Sequence, residues 1–168
     1  MDFRHDILPL KNIIFRTALR IVLNREEAED IVQDTLLKLW ERRNELDKVK
    51  NLEAFALTMA RNLAIDRKEK MDNQHVSFDE EAHDRPDDYV ESADRTLTQK
   101  ETTGFIANII NFLPEKQRTI IQLRDIEGKT YQEIANMLSI SESDVKVTLF
   151  RARQTMKEKI LQKKSFFL

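Results

Sequence analysis

The chain has 168 residues, with 28 Lys and Arg against 30 Asp and Glu, two Gly, three Pro and no Cys. That length fits one large or two small domains, and the scarcity of Gly and Pro beside 35% charged residues points to an almost wholly helical protein. Without cysteine there is neither a disulfide scaffold nor a thiolate metal site, which suits a reducing cytoplasm. The opening MDFRHDILPL lacks a basic stretch followed by an apolar core, so it does not read as a signal peptide. No run approaches the roughly 18 apolar residues of a membrane span, and the expected location is cytoplasmic.

The net charge of −2 hides an asymmetry. Residues 1–70 hold 14 basic and 13 acidic side chains, residues 71–100 hold 3 and 9, and residues 101–168 hold 11 and 8. Two near-neutral or basic blocks therefore flank an acidic bridge, and the sign of each block says more than the total.

In chain order, apolar residues recur at helical spacing from about Phe3 to Leu23: Ile7, Leu10, Ile14, Ala18 and Ile21, thickened by Ile13 and Phe15. Pro9 fits only near a helix start or at a break. Asn24 stands three before Glu27, a capping-box spacing, and EEAEDIVQDTLLKLWERRNEL follows as the second helix. Its acidic residues crowd the first turn, where the helix dipole favours them. Ala28, Ile31, Val32, Thr35, Leu36, Leu39 and Trp40 form its buried side, leaving Asp30, Gln33, Asp34, Leu37, Lys38 and Glu41 outward. A third helix runs from near Leu52 to about Lys70, with Leu52, Ala56, Met59, Ala60 and Leu63 inward. Thr58, Arg61, Ile65 and Lys68 point away and Asn62 lies at the border.

Periodicity then stops. Residues 71–95 are acidic, contain Pro86 and read as a flexible tether. Helical signal resumes around Leu97 to Phe112, Pro114 opens the next helix from its first turn, and Gly128 closes it. From Thr130 to Met156 the chain reads as helix, tight turn and helix. Thr130/Glu133 and Ser141/Asp144 are capping-box pairs, the second with Asp where Glu or Gln is usual. Ile134, Ala135, Leu138 and Ile140 face Val145, Leu149, Ala152 and Met156. That is helix-turn-helix geometry, whose second helix enters a DNA major groove.

At about 100° per residue, the opposite side of the last helix carries Ser143, Lys146, Val147, Phe150, Arg151 and Gln154, with Arg153 and Lys157 on its flank. Two apolar residues among cations on a solvent face suit base-edge reading, because a thymine methyl group is an apolar target. The plainer reading is a solvated basic face with two stray apolar residues. The tail KKSFFL ends on three apolar residues that either dock or fray.

The segment AEDIVQDTLLKLW resembles the second conserved region of extracytoplasmic-function (group IV) RNA polymerase sigma factors, of the sigma-70 family. ARNLAIDRKEK is similar to the helix that follows it, and LPEKQRTIIQLRDIEGKTYQEIANMLSISESDVKVTLFRARQTM to their fourth region. The resemblance covers nearly the whole chain in order and spacing. It implies an all-α protein of two small helical domains, 1–70 and 96–168, joined by the acidic linker 71–95. Such a protein binds core RNA polymerase and directs it to promoter DNA, reading the −10 element with the first domain and the −35 element with the second.

By the same resemblance, Asp30, Gln33 and Asp34 contact polymerase. Asn62, with Arg61 beside it, captures an unstacked −10 base, with Lys68 on the outward side of that helix. Lys146, Val147, Phe150 and Arg151 read the −35 element, flanked by Ser143 and Arg153. Leu36 stands where the family usually has Phe, and Val147 where a small polar residue is common. A membrane-associated anti-sigma factor is a partner the family allows.

An enzyme is not indicated. The three histidines, at 5, 75 and 83, are scattered, and no Gly-rich phosphate loop, HExxH pair or Ser/His/Asp arrangement is present. Glu26, Glu27, Glu29 and Asp30 imitate a carboxylate metal cluster, but a helix's first turn explains them better. Neither a cofactor, a metal nor a small-molecule substrate is expected. Two other readings remain: a free-standing helix-turn-helix regulator of duplex DNA, and a helical adaptor whose basic face is only solubilising.

Overall fold

The computed structural model describes residues 2–74 and 97–167. Every regular element among them is helical: α1 (Lys11–Val22), α2 (Arg25–Glu41), α3 (Leu52–Gln74), α4 (Leu97–Phe112), α5 (Glu115–Ile121), α6 (Tyr131–Leu138) and α7 (Glu142–Phe167). The all-α expectation holds. Most of the expected linker, from His75 onward, lies outside the described residues.

The first helix is shorter than its apolar pattern. A wide turn over Phe3–Ile7 and a tight turn over Leu8–Leu10 precede α1, so Pro9 marks a break. Ile7, Leu10, Ile14, Ala18 and Ile21 are all buried even so. Leu23 caps α1 in the left-handed conformation at φ 55°, which costs a non-glycine residue about 1 kcal/mol. It is followed directly by Asn24, whose side chain accepts from the Glu27 backbone at 3.0 Å to start α2. α2 ends at Glu41 rather than near Leu46, and a tight turn at Leu46–Lys48 leads to α3.

α2 follows its sequence pattern. Ala28, Ile31, Val32, Thr35, Leu36 and Leu39 are buried, and Asp30, Gln33, Asp34, Leu37, Lys38 and Glu41 are exposed. α3 does not. Its fully buried residues are Ala56, Leu57, Ala60 and Ala64, and Thr58, Arg61, Ile65 and Lys68, expected in solvent, are all half-buried. The cause is a second set of neighbours, since α3 packs on α1 and α2 and also on α6. A helix covered on two sides has no single apolar stripe.

The second half is built on α5. Pro114 caps this helix from outside instead of entering its first turn; a wide turn over Gln122–Ile126 and Gly128 at φ 75° then turn the chain toward α6. The Thr130 capping box is complete: the hydroxyl accepts from Glu133 N at 3.1 Å and the Glu133 carboxylate from Thr130 N at 3.2 Å. Ser139, at φ 57°, ends α6. Ser141 accepts from Asp144 N at 3.0 Å, but the Asp144 carboxylate turns to Lys116 and Thr148. Ile134, Ala135, Leu138, Val145, Leu149 and Ala152 are buried together, with Ile140 and Met156 at the edge.

The two halves share one continuous core, in which residues from α1 to α3 join those from α4 to α7. α1 packs on α5, and α3 on α6. None of the described helices is long and apolar enough to cross a membrane.

Candidate nucleic-acid and polymerase interfaces

The outward face of α7 is the clearest surface. Ser143, Lys146, Val147, Phe150, Arg151 and Gln154 are exposed, Val147 at 46% and Phe150 at 64%. The helix is held from behind by Val145, Leu149 and Ala152 and from the side by Lys116, which donates to Asp144 at 2.9 Å. That bond and the Thr148 hydroxyl hold the Asp144 carboxyl below its ordinary range. The Glu133 carboxyl is likewise lowered, chiefly by the Thr130 backbone N–H.

Not every cation on this helix is free to meet phosphate. Arg153 forks onto Asp125 at 2.5 and 3.2 Å, and this pairing raises its pKa by stabilising the charged form. Arg151 and Lys146 point outward, Lys146 passing 5.5 Å from the Tyr131 ring. The face is therefore two cations and two apolar side chains on a rigid support. A helix so equipped can neutralise phosphates and meet the floor of a major groove.

On α2, Asp30, Gln33 and Asp34 share the solvent side. The structure adds a residue the sequence did not single out. Arg67 crosses from α3 and lies 2.5 Å from Glu27, 3.4 Å from Asp34 and 3.6 Å from Asp30. Its charge is stabilised first by the Glu27 hydrogen bond and then by all three carboxylates. One guanidinium thus sets the spacing of an acidic stripe. Beside the stripe is an open cleft of about 530 Å³ lined by Phe3, Gln33, Leu36, Leu37 and Trp40. Trp40 is half-buried and packs against the edge of the core. It meets Phe3 edge to face at 5.6 Å and carries Arg43 over its ring at 4.2 Å.

The third group divides. Asn62 is exposed, but Arg61 is half-buried and 3.8 Å from Glu115 of the second half. Its Nε is buried without a hydrogen-bond partner. Lys68 pairs with Asp72 at 3.4 Å. The three groups of sequence-predicted residues lie on three different helices, α7, α2 and α3, and Arg67 of α3 reaches the group on α2. No group of His, Asp and Glu able to hold a metal occurs among the described residues.

Comparison with known proteins agrees with this architecture. Residues 7–73 match the sigma-70 region 2 family and residues 106–156 match sigma-70, region 4. The chain is 30% identical over 151 residues to the ECF RNA polymerase sigma factor SigL of Mycobacterium tuberculosis, covering 86% of this chain and 81% of that one. It is 29% identical over 174 residues to the RNA polymerase sigma-H factor of Pseudomonas aeruginosa, covering 96% and 83%. It is 28% identical to the probable RNA polymerase sigma factor RfaY of Xanthomonas campestris, of which it spans only 39%. Its fold is similar to that of the sigma factor RpoE in complex with the anti-sigma factor NepR from Bartonella quintana, with a TM-score of 0.73, 23% identity, and 94% and 95% of the two chains covered. With both regions present in order and relatives of this identity and coverage, the chain belongs to the extracytoplasmic-function sigma factors of the sigma-70 family.

Proposed function

We infer that this protein is an alternative sigma factor that binds core RNA polymerase and directs it to a set of promoters. The family supports this, and so does the observation that carries it: one chain presents both an acidic, ordered stripe and a basic, apolar-studded reading helix. A free-standing regulator would need only the second. The family is not an enzyme class, and the protein acts without catalysis of its own, in the cytoplasm where polymerase and DNA are found.

The exposed surfaces support the following division of labour. Asp30, Gln33 and Asp34, spaced by Arg67, dock on polymerase. Lys146 and Arg151 neutralise phosphates of the −35 duplex while Val147 and Phe150 touch base edges, flanked by Ser143 and Arg153. Asn62, with Arg61 and Lys68, takes the −10 strand. A base must leave the stack before its pairing edge can be read, at a cost of a few kcal/mol, and an exposed amide is suited to receive it. The domains are 1–70, the linker 71–95 and 96–168. An anti-sigma factor is a fitting further partner, since solved sigma factors of similar fold are held in complexes with NepR and with the cytosolic domain of CnrY.

Run-off transcription with purified core polymerase on the promoter upstream of this protein's own gene tests the reading. Transcripts that require both core enzyme and this chain are expected. Duplex binding with no polymerase-dependent transcript would return the free-standing regulator.

A further inference from the structure

Cations on the helix-turn-helix are held in different ways, and the difference bears on what each can do. Arg153 forks onto Asp125 at 2.5 and 3.2 Å. A carboxylate orients a cation but also cancels its charge for anything farther away. Lys146 of α7 meets an uncharged partner instead. Its ammonium lies 5.5 Å from the centre of the ring of Tyr131, the first residue of α6. An aromatic face attracts a cation within about 6 Å through its quadrupole, and it leaves the full positive charge in place.

The ring itself is fixed. Tyr131 follows Thr130, whose capping box sets the start of α6, and its side chain is half-buried at the edge of the core. Arg124, from the wide turn before α6, lies 4.4 Å from the ring centre and donates to Lys129 O at 2.9 Å. The ring and the carbonyl are both uncharged. The ring thus gathers the charges of Arg124 and Lys146 and cancels neither.

Place matters as much as charge. In a helix-turn-helix the first helix crosses the DNA backbone while the second lies in the major groove. Lys146 belongs to the second helix but is drawn toward the start of the first. Its ammonium is thereby turned from the groove floor toward the strand backbone. Val147 and Phe150, exposed on the same face of α7, are left to meet base edges.

We propose that Tyr131 is a positioning residue for promoter recognition: its ring, fixed by Arg124, holds Lys146 at the seam of α6 and α7, where the ammonium takes a backbone phosphate of the −35 duplex rather than a base edge. This rests on the sigma-factor reading above. A lysine stem resting on a ring for packing alone would show the same distance and none of the following behaviour.

The test uses holoenzyme, assembled from core polymerase and the full chain, on promoter duplex across a salt series. Tyr131→Leu keeps apolar bulk at the core edge and removes the aromatic face. It should weaken promoter affinity about two- to fivefold, the equivalent of one exposed cation–ring contact. Lys146→Gln should lower the slope of log affinity against log salt by about 0.9, the share of one phosphate. It should leave the preference among −35 sequences unchanged, since phosphate contacts carry no sequence information. The two changes should not add, as expected of residues in contact: in the Lys146→Gln background, Tyr131→Leu should cost nothing further. Tyr131→Phe keeps the ring and should recover the loss. In the free protein, the ε-methylene protons of Lys146 should carry an upfield ring-current shift that Tyr131→Leu abolishes.

Equal losses from Tyr131→Leu with and without Lys146 would make the ring a packing residue, and the proposal falls. So it does if Tyr131→Phe loses as much as Tyr131→Leu, which assigns the work to the hydroxyl. A Lys146→Gln holoenzyme with its salt slope intact and its preference shifted at one base pair makes Lys146 a base reader, and the phosphate contact is lost. Melting curves accompany each variant. Were Tyr131→Leu to unfold, the ring-current shift of the parent and the Lys146→Gln slope would still decide. A parent that forms no holoenzyme with core polymerase breaks the sigma-factor reading itself, and this role goes with it.

Discussion

α3 and α7 are both expected to touch DNA, yet they stand in opposite relations to the rest of the molecule. α7 buries one side on α5 and α6 and leaves the other to solvent. α3 is covered on two sides, and its Arg61 is engaged by a carboxylate from the other half. A helical period tells which side of a helix is apolar. It does not tell what covers the other side.

The largest effect expected from sharpening this contrast lies within α7. Leu149 is 2% exposed and Phe150, its neighbour, is 64% exposed. Leu149→Ala should lower unfolding free energy by about 2–5 kcal/mol, the range for emptying a packed Leu site, read from denaturant midpoints. Phe150→Ala should move the same midpoint by no more than about 0.5 kcal/mol, as at other exposed sites. Its cost appears in recognition instead. Holoenzyme occupancy across a randomised −35 library should lose about 1–3 kcal/mol of discrimination, the scale of one specific base contact. The salt dependence should stay unchanged because no charge is removed. A strong loss of stability with preference intact would reverse the two residues' roles.

That contrast also shows where the sequence could and could not be read. In α2 and α7 the apolar stripe is continuous and the opposite side meets water, so Asp30, Gln33 and Asp34 on one, and Lys146, Val147, Phe150 and Arg151 on the other, are exposed as their phase predicts. In α3 the small residues Ala56, Ala60 and Ala64 admit close neighbours, and Leu57, assigned to neither side by the period, is fully buried.

Arg118 left only a trace, a cation just before Ile120 and Ile121 on a short apolar helix. Its partners are backbone carbonyls of Arg20 and Ile21. Carbonyls carry no side-chain identity, so no pattern pairs them with an arginine so far along the chain. Arg67 was hidden for a related reason: its three carboxylates were legible as a helix's acidic turns, but the cation that spaces them comes from a different helix.

A smaller effect separates the helix-turn-helix from its surroundings. Thr130→Ala removes the acceptor for Glu133 N and should cost about 1 kcal/mol, the usual loss at an N-cap, read as a lower melting temperature. The two lowered carboxyls give this unit a pH dependence of known sign. Glu133 and Asp144 ordinarily titrate near 4.5 and 3.8 and lie below those values when folded. They therefore contribute stability above about pH 4.5, and that contribution fades as pH falls through their folded values. Glu133→Gln, which removes one of the two titrating carboxyls altogether, should flatten the fall in stability below that pH. A variant as acid-sensitive as the parent would place the titrating groups elsewhere.

The smallest structural effect and the most selective functional one meet at the acidic stripe. Asp34 is half-exposed and 3.4 Å from Arg67, while Glu27 holds the same guanidinium at 2.5 Å. Exchanging Asp34 for Lys therefore leaves the stronger pairing in place, and an exposed ion pair is worth only about 0–1 kcal/mol. The melting temperature should barely move. Affinity for core polymerase should drop severalfold or more, because a like charge set against a complementary surface costs more than the lost pair. Arg67→Ala asks the complementary question. It keeps every carboxylate but removes the group that spaces them, so the stripe becomes more negative and less ordered. If polymerase needs charge alone, Arg67→Ala binds as well as the parent or better. If it needs the spacing that Arg67 imposes, Arg67→Ala should weaken binding as Asp34→Lys does, and titration of core enzyme with the two variants side by side decides between them.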